Sequence, residues 1–168
     1  MGRSGHRQGL ELLMTTKAAF NAEDWSVVTN APFLTAMLVI AADRGGTVRE
    51  SLAISRAYAG AREEPGGELL QAVLSTPPAI DPATAPRTPE DLRREAPATL
   101  RQAVGILERH ATEDEVIAYK RFVFSLADTV ARAHREGGFL GLGGTEISDH
   151  EQEALDQIAA IFDEAQSA

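Results

Sequence analysis

The chain of 168 residues contains no cysteine. This absence excludes disulfide bonds, zinc–thiolate and iron–sulfur centres, and a catalytic cysteine nucleophile. A cysteine-free chain is compatible with a reducing compartment, and we expect this protein to be cytoplasmic. With 43% hydrophobic residues, the chain is sufficient for one domain that has its own core.

Positive charge is scarce and dispersed. The formal net charge is -9, and the basic stretch from Arg87 to Arg101 is interrupted by acidic residues, as is typical of a solvated helix face. Aromatic residues make up only 5% of the chain, with Trp25 as the single tryptophan. Nucleic-acid binding needs a basic face and, for single strands, aromatic platforms for the bases. We therefore expect no nucleic-acid partner.

Long apolar segments are also missing. The longest apolar run covers residues 31–42, which is well short of the ~20 residues that a membrane-spanning helix requires. Residues 1–9 lack the apolar stretch of a signal peptide. We expect no membrane span and a disordered N-terminal extension at residues 1–8. Both Met1 and Met14 are compatible with the start of the native chain.

Strand signals are absent, and helical patterns continue throughout the chain. They predict an all-α fold, a single-domain orthogonal helical bundle of about seven or eight helices over residues 9–168, with a Pro-rich loop at residues 76–88. A short first helix is expected at residues 9–20. Because proline removes a backbone donor, we place an N-cap at Asn30 before Pro32, and a break or kink at Pro97.

Capping boxes and apolar stripes define the predicted helices in the second half of the chain. Boxes of the form Ser/Thr-x-x-Glu begin at Thr47, Thr112 and Ser148. The helices after Thr112 and Ser148 each have an apolar stripe at helical spacing, which predicts a buried face; dimerisation through the first stripe is the alternative. The stripes are Val116, Tyr119, Val123, Leu126, Val130 and Ala133, and Leu155, Ile158, Phe162 and Ala165.

A glycine-rich loop at residues 137–144 is the most distinctive local feature. It does not match the dinucleotide fingerprint, because Glu146 stands where the third glycine belongs, and it lacks the Walker lysine. One interpretation is a compact turn whose apolar side chains fill the core, and the other is an exposed loop that binds a partner. The candidate interaction loop consists of Gly138, Phe139, Leu140, Gly141 and Leu142.

Carboxylates crowd the start of the last predicted helix. Glu146, Asp149 and Glu151 lie there, and hard cations such as calcium prefer oxygen ligands. Asp43 would join them if two helical hairpins packed pseudo-symmetrically. The alternative is that the helix dipole favours these acids and that Glu151 serves as a cap residue. Asp43, Glu146, Asp149 and Glu151 are thus candidate ligands of a divalent cation, and we expect no other cofactor.

One arrangement occurs twice along the chain. In residues 34–54 and again in residues 124–162, an apolar helix runs into a Gly-Gly pair, a Ser/Thr-x-x-Glu cap and a second helix. This repetition predicts two related helical hairpins. The alternative is that the two segments are unrelated, because glycine commonly ends helices and Ser or Thr commonly begins them.

Two resemblances follow from these segments. Residues 119–151, with the run Glu-Gly-Gly-Phe-Leu-Gly, and residues 25–43, with Asn-Ala-Pro-Phe-Leu, resemble a family of small, uncharacterised, all-helical bacterial proteins. That resemblance implies a fold but no activity. More distantly, residues 42–50 and 147–151 resemble the tellurite-resistance TerB-like families. Those families have two related helical halves and bind metal through acidic residues near helix junctions.

The leading functional hypothesis is a non-enzymatic cytoplasmic accessory or interaction protein. It rests on the lack of a catalytic triad, of paired buried carboxylates and of a cofactor motif in the sequence. The partner would be another protein or a second copy of the chain. One alternative is a TerB-like metal-binding stress-response module. Another is a small-molecule binding protein or enzyme with a pocket under the glycine-rich loop.

Overall fold

The structure, a computed structural model, describes residues 14–42, 48–64, 66–135 and 148–164. All regular secondary structure in these residues is helical, which confirms the predicted all-α class. Of the helix expected at residues 9–20, the described part, residues 14–20, forms only a short 3-10 helix, Lys17–Ala19, and the extension at residues 1–8 lies outside the described residues. Six α-helices follow: α1 (Ala22–Ala42), α2 (Val48–Glu63), α3 (Gly67–Ser75), α4 (Pro89–His110), α5 (Glu113–Arg135) and α6 (Asp149–Glu164).

Two prolines lie inside long helices, where the sequence had suggested a helix start and a break. Pro32 is buried within α1, and Pro97 is buried within α4. Asn30 is therefore not an N-cap. Its side chain instead accepts a hydrogen bond from the Ala79 N–H at 2.8 Å and donates one to the Ala79 carbonyl at 3.2 Å, in the Pro-rich loop. Because both helices continue through their prolines, the described residues contain six α-helices where we expected seven or eight.

A hydrogen bond from α5 makes Pro32 compatible with an unbroken α1. Proline has no N–H, so the carbonyl four residues earlier loses its helical donor. Here that carbonyl belongs to Val28, and the Tyr119 hydroxyl donates to it at 2.8 Å. Both residues are buried. A buried carbonyl without a partner costs free energy comparable to a lost hydrogen bond, so Tyr119 removes a cost that the proline creates.

Helix α1 is the centre of the bundle. It contacts each of the other five α-helices, most extensively α4. Ten of its 21 residues are buried, as expected for a helix that is apolar on nearly every side. It is also the one described helix long and apolar enough to cross a membrane. That is weak evidence for a span, because 56% of its apolar window is buried within the protein and central core helices share this composition.

The apolar stripes of α5 and α6 face the core, as predicted. On α5, every stripe residue is buried except Ala133, which packs against the core while partly exposed. On α6, Ala165 lies outside the described residues, and the other three stripe residues are buried. The α5 stripe is therefore occupied within the chain and is not available as a dimer interface.

Capping boxes begin α4, α5 and α6. In each box the Ser or Thr hydroxyl accepts from a backbone N–H in the first turn, while the acidic side chain accepts from the N–H of the cap residue. The box at Thr47 lies outside the described residues. The observed pairs are Thr88 with Asp91, Thr112 with Glu115, and Ser148 with Glu151.

The α5 cap also holds the N-terminal segment. Thr15 donates to the Glu115 carboxylate from its backbone N–H at 2.9 Å and from its hydroxyl at 2.7 Å. Burial alone would raise the pKa of Glu115, but the hydrogen bonds from Thr112 and Thr15 outweigh it and hold the pKa below its usual value. The charged carboxylate thus connects the start of the described chain to α5.

Candidate functional site

The candidate cation ligands are not assembled within the described residues. Asp43 and Glu146 lie outside them, and Asp149 is exposed in the first turn of α6. Glu151 is only 2% exposed, and its carboxylate accepts from the Ser148 N–H at 3.1 Å, which is the cap role weighed above. Among the described residues, no three His, Asp or Glu side chains are grouped so that they could hold a metal ion. The divalent-cation hypothesis therefore stays a prediction.

The candidate interaction loop lies outside the described residues as a whole, from Gly138 and Phe139 through Leu140 and Gly141 to Leu142. Whether its apolar side chains enter the core or contact a partner stays a prediction. The same holds for a pocket beneath this loop.

A groove between α2 and α5 is a candidate binding site that the described residues do provide. It offers about 420 Å³ of space, within the range of ~300–1,000 Å³ that is usual for small-molecule sites. Helix α2 forms one wall, α5 forms the other, and Leu70 of α3 contributes to the lining. The α2 wall consists of Arg56, Ala57, Gly60 and Ala61, followed by Glu64.

Small side chains keep this groove open. Ala57, Gly60 and Ala61 are spaced three and four residues apart, so they form one stripe along α2. Ala118 and Ser125 line the groove from α5. A β-carbon placed on Gly60 would have no neighbouring heavy atom within 4 Å. A larger side chain at Gly60 would therefore extend into open space on the α2 side of the groove.

The floor of the groove is apolar. Phe122, Leu126 and Leu70 line it and are at the same time buried members of the main core. Behind this floor, the Tyr58 ring packs edge-on against Phe122 with centroids 5.1 Å apart. Burial raises the pKa of Tyr58 to about 12, with Arg62 acting in the opposite direction. Tyr58 is thus a neutral phenol, and the floor offers apolar contact without charge.

Two arginines on the groove have no ion-pair partner among the described residues: Arg56 on α2 and Arg121 on α5, both exposed. Neighbouring cations are engaged elsewhere. Arg62 donates to a carbonyl in the last turn of α3 at 2.6 Å, and Lys120 donates to one in the last turn of α6 at 3.3 Å. Such bonds satisfy carbonyls that a helix end leaves free. Arg56 and Arg121 therefore remain as the cations available to a ligand.

The two arginines lie at one height of the groove. Arg56 precedes Tyr58 by two positions, Arg121 precedes Phe122 by one, and the Tyr58 and Phe122 rings touch. At a helical rise of ~1.5 Å per residue, each arginine is within about 3 Å of that ring contact along its own helix. Glu64 lies eight positions after Arg56, roughly 12 Å further along the same axis. The groove is thus cationic at one level and acidic at its far end.

Two further cavities of similar size are weaker candidates for a binding site, because charged residues that line them are already paired. One, of about 430 Å³ beside the Pro-rich loop, is lined by acidic residues that include Asp81 and Glu95. Asp81 is already bonded within its own turn, and Glu95 is paired with Arg94. The other, of about 490 Å³ at α6, has mixed charge, and its Arg93 lies 3.9 Å from Glu90. The groove between α2 and α5 is distinguished from both by two positive charges that no described residue pairs with, above a floor that belongs to the core.

Comparison of the chain with protein-family models, with curated proteins and with solved structures finds no match. The groove has to be interpreted from its own chemistry.

Sequence reasoning missed the groove. It treats the basic residues as scattered and proposes neither Arg56 nor Arg121 as a site residue. A signal was present in the spacing of Ala57, Gly60 and Ala61 on α2. Small residues at that spacing also occur where two helices pack in direct contact, so the pattern by itself does not distinguish a groove from close packing.

Proposed function

We propose that this protein is a non-enzymatic cytoplasmic binding protein and that the groove between α2 and α5 is its binding surface. The observation that carries the proposal is the convergence, on one groove of about 420 Å³, of an apolar floor and two arginines that have no ion-pair partner among the described residues. Its described ionisable side chains are Arg56, Arg121 and Glu64. Arginine stays protonated in proteins, so it holds anions without exchanging protons. This composition favours recognition over acid–base or nucleophilic catalysis.

The apolar floor indicates what the groove recognises besides charge. Small-molecule sites are lined mostly by apolar and aromatic side chains, with a few polar groups that fix the orientation of the ligand. In this groove, Phe122 and Leu126 supply the apolar and aromatic lining, and the two arginines supply the polar groups. Each Å² of apolar surface removed from water contributes roughly 25 cal/mol. An apolar ligand therefore gains more here than a bare ion would.

A neutral hydrophobic dye tests this function without presupposing the charge of the ligand. Nile red fluorescence should rise saturably when the folded protein is titrated. Gly60→Leu places a side chain in the open groove and should abolish that rise. Gly105→Leu is the matched control, because Gly105 lies on α4 away from the groove and the nearest atom to an added β-carbon is the flexible Arg109 guanidinium at 3.7 Å. This control should bind the dye normally.

Circular dichroism and thermal melting of both variants establish that they are folded. If the dye shows no saturable binding, or if the two variants bind it equally, the groove is not a binding surface and the proposal is wrong.

A second candidate function comes from the sequence: a TerB-like arrangement of two related hairpins acting as a metal-binding stress-response module. What supports it is the capping box of Ser148 and Glu151, which begins α6 at the junction where the resemblance requires an acidic helix start. Titration with calcium and other divalent cations, followed by thermal melting, tests it. Stabilisation by one cation is the expected result, and a melting temperature unchanged across the series would exclude it.

A further inference from the structure

We infer that the ligand of this groove is an amphipathic anion, with an apolar chain along the floor and one terminal carboxylate or phosphate held between Arg56 and Arg121. This inference rests on the proposed binding function and specifies the class of ligand.

The position of the head group follows from where the two arginines lie along the axes of α2 and α5. Arg56 and Arg121 stand on opposite walls, each within a few ångströms of the level at which the Tyr58 and Phe122 rings meet. A guanidinium presents a planar fork of donors that matches carboxylate and phosphate oxygens. Ser125 follows Arg121 by one helical turn and also lines the groove, so its hydroxyl is a further donor on the same wall.

The tail position follows from the rest of the lining. Leu70 lines the end of the groove next to Gly66, which is also the end at which Glu64 lies. From the level of Arg56 to this end the distance along α2 is roughly 12 Å, estimated from the helical rise between Arg56 and Glu64. Glu64 at the far end disfavours a second anionic group there. The lining therefore selects a molecule with charge at one end only.

The charge of the whole protein favours a small ligand over an acidic macromolecule. The chain has a net charge of -9, and α6 contributes six acidic residues and no Lys or Arg. An acidic protein segment or an anionic membrane would be repelled by this field in proportion to its own charge. A single-headed anion meets the least repulsion and still reaches both arginines.

Four compounds that share one decyl tail test the inference: undecanoate, decyl phosphate, decanol and decyltrimethylammonium. Their affinities are measured by isothermal titration calorimetry below their micelle concentrations and by displacement of Nile red. We expect at least one of the two anions to bind more tightly than decanol, by about fivefold or more, and the ammonium to bind most weakly. The comparison of undecanoate with decyl phosphate identifies the head group.

Arginine variants connect that preference to the groove. Arg56→Gln and Arg121→Gln should each weaken binding of the preferred anion by about threefold to tenfold and leave decanol binding unchanged. Arg109→Gln is the matched control, because it removes the same charge from an exposed arginine of α4 outside the groove. This control should have no effect on the anion.

The possible failures are distinguishable. If Nile red and decanol bind and are blocked by Gly60→Leu, but the anions show no preference, the inference is wrong while the binding function stands. The inference is also wrong if Arg109→Gln weakens the anion as much as Arg121→Gln. If neither the dye nor any decyl compound binds, the proposed function itself fails.

Discussion

The hydrogen bond from Tyr119 to the Val28 carbonyl should stabilise the fold because Pro32 deprives that carbonyl of its helical donor. Tyr119→Phe removes only the hydroxyl from a side chain that is 1% exposed, and the ring keeps its packing. The carbonyl is then buried without a described partner. Leaving a buried polar group unsatisfied costs ~1–3 kcal/mol, so the free energy of unfolding should fall by that amount.

A double-mutant cycle separates this hydrogen bond from other effects of losing the hydroxyl. Pro32→Ala returns an N–H to α1 at the position from which a helix bonds the Val28 carbonyl. In that background the carbonyl keeps a partner when Tyr119 becomes Phe. The cost of Tyr119→Phe should therefore be smaller in Pro32→Ala than in the wild type, by about 1 kcal/mol or more.

Tyr58 provides the control for a buried hydroxyl. Its hydroxyl is also buried but has no hydrogen-bond partner among the described residues, so Tyr58→Phe should be neutral or stabilising. Urea unfolding followed by far-UV circular dichroism gives the free energy of unfolding of each variant. Equal costs of Tyr119→Phe in both backgrounds, or a loss at Tyr58 as large as that at Tyr119, would refute the assignment of Tyr119 as the partner of Val28.

Two further predictions concern stability. Gly60→Ala and Gly105→Ala should each raise the free energy of unfolding by about 0.5–1 kcal/mol, because glycine inside a helix costs that much relative to alanine; thermal melting of both variants checks this. The lowered pKa of Glu115 means that its contribution to stability is complete above the pKa of the unfolded chain and is lost as the pH falls through the lower folded pKa. The stability difference between wild type and Glu115→Gln should accordingly be full at neutral pH and disappear in acid, and an unchanged difference at low pH would contradict the assignment.

Signals that depend on neighbouring residues predicted much of the fold. A capping box needs only residues three positions apart, so Thr112 and Ser148 correctly located the starts of α5 and α6. The apolar stripes were equally local, and their spacing identified the buried faces. Capping boxes and apolar stripes indicate helices at several places along the chain, and their agreement predicts the all-α class of the fold.

The prolines were misread because their outcome depends on distant residues. The sequence predicts a helix start at Pro32, because proline is tolerated in the first turn of a helix and nothing near it in sequence replaces the lost donor. The replacement is the Tyr119 hydroxyl, which lies 91 positions from Val28. The groove was missed for the same reason: its walls belong to α2 and α5, and only their packing brings Arg56 and Arg121 to one level.

The glycine at position 60 offers a test of whether the groove binds a ligand or is only a gap between packed helices. Glycine is required where the backbone needs a positive φ or a close approach; in the described residues the positive-φ glycine is Gly67, and an added β-carbon at Gly60 meets nothing within 4 Å. Neither reason applies to Gly60, so it costs stability without a backbone need. An added β-carbon at Gly105 on α4 meets only ordinary van der Waals contact. The effects of enlarging the two glycines can therefore be compared directly. Equal stabilisation by alanine at both positions, with ligand binding lost only when Gly60 is enlarged to leucine, would assign the open space at Gly60 to the ligand.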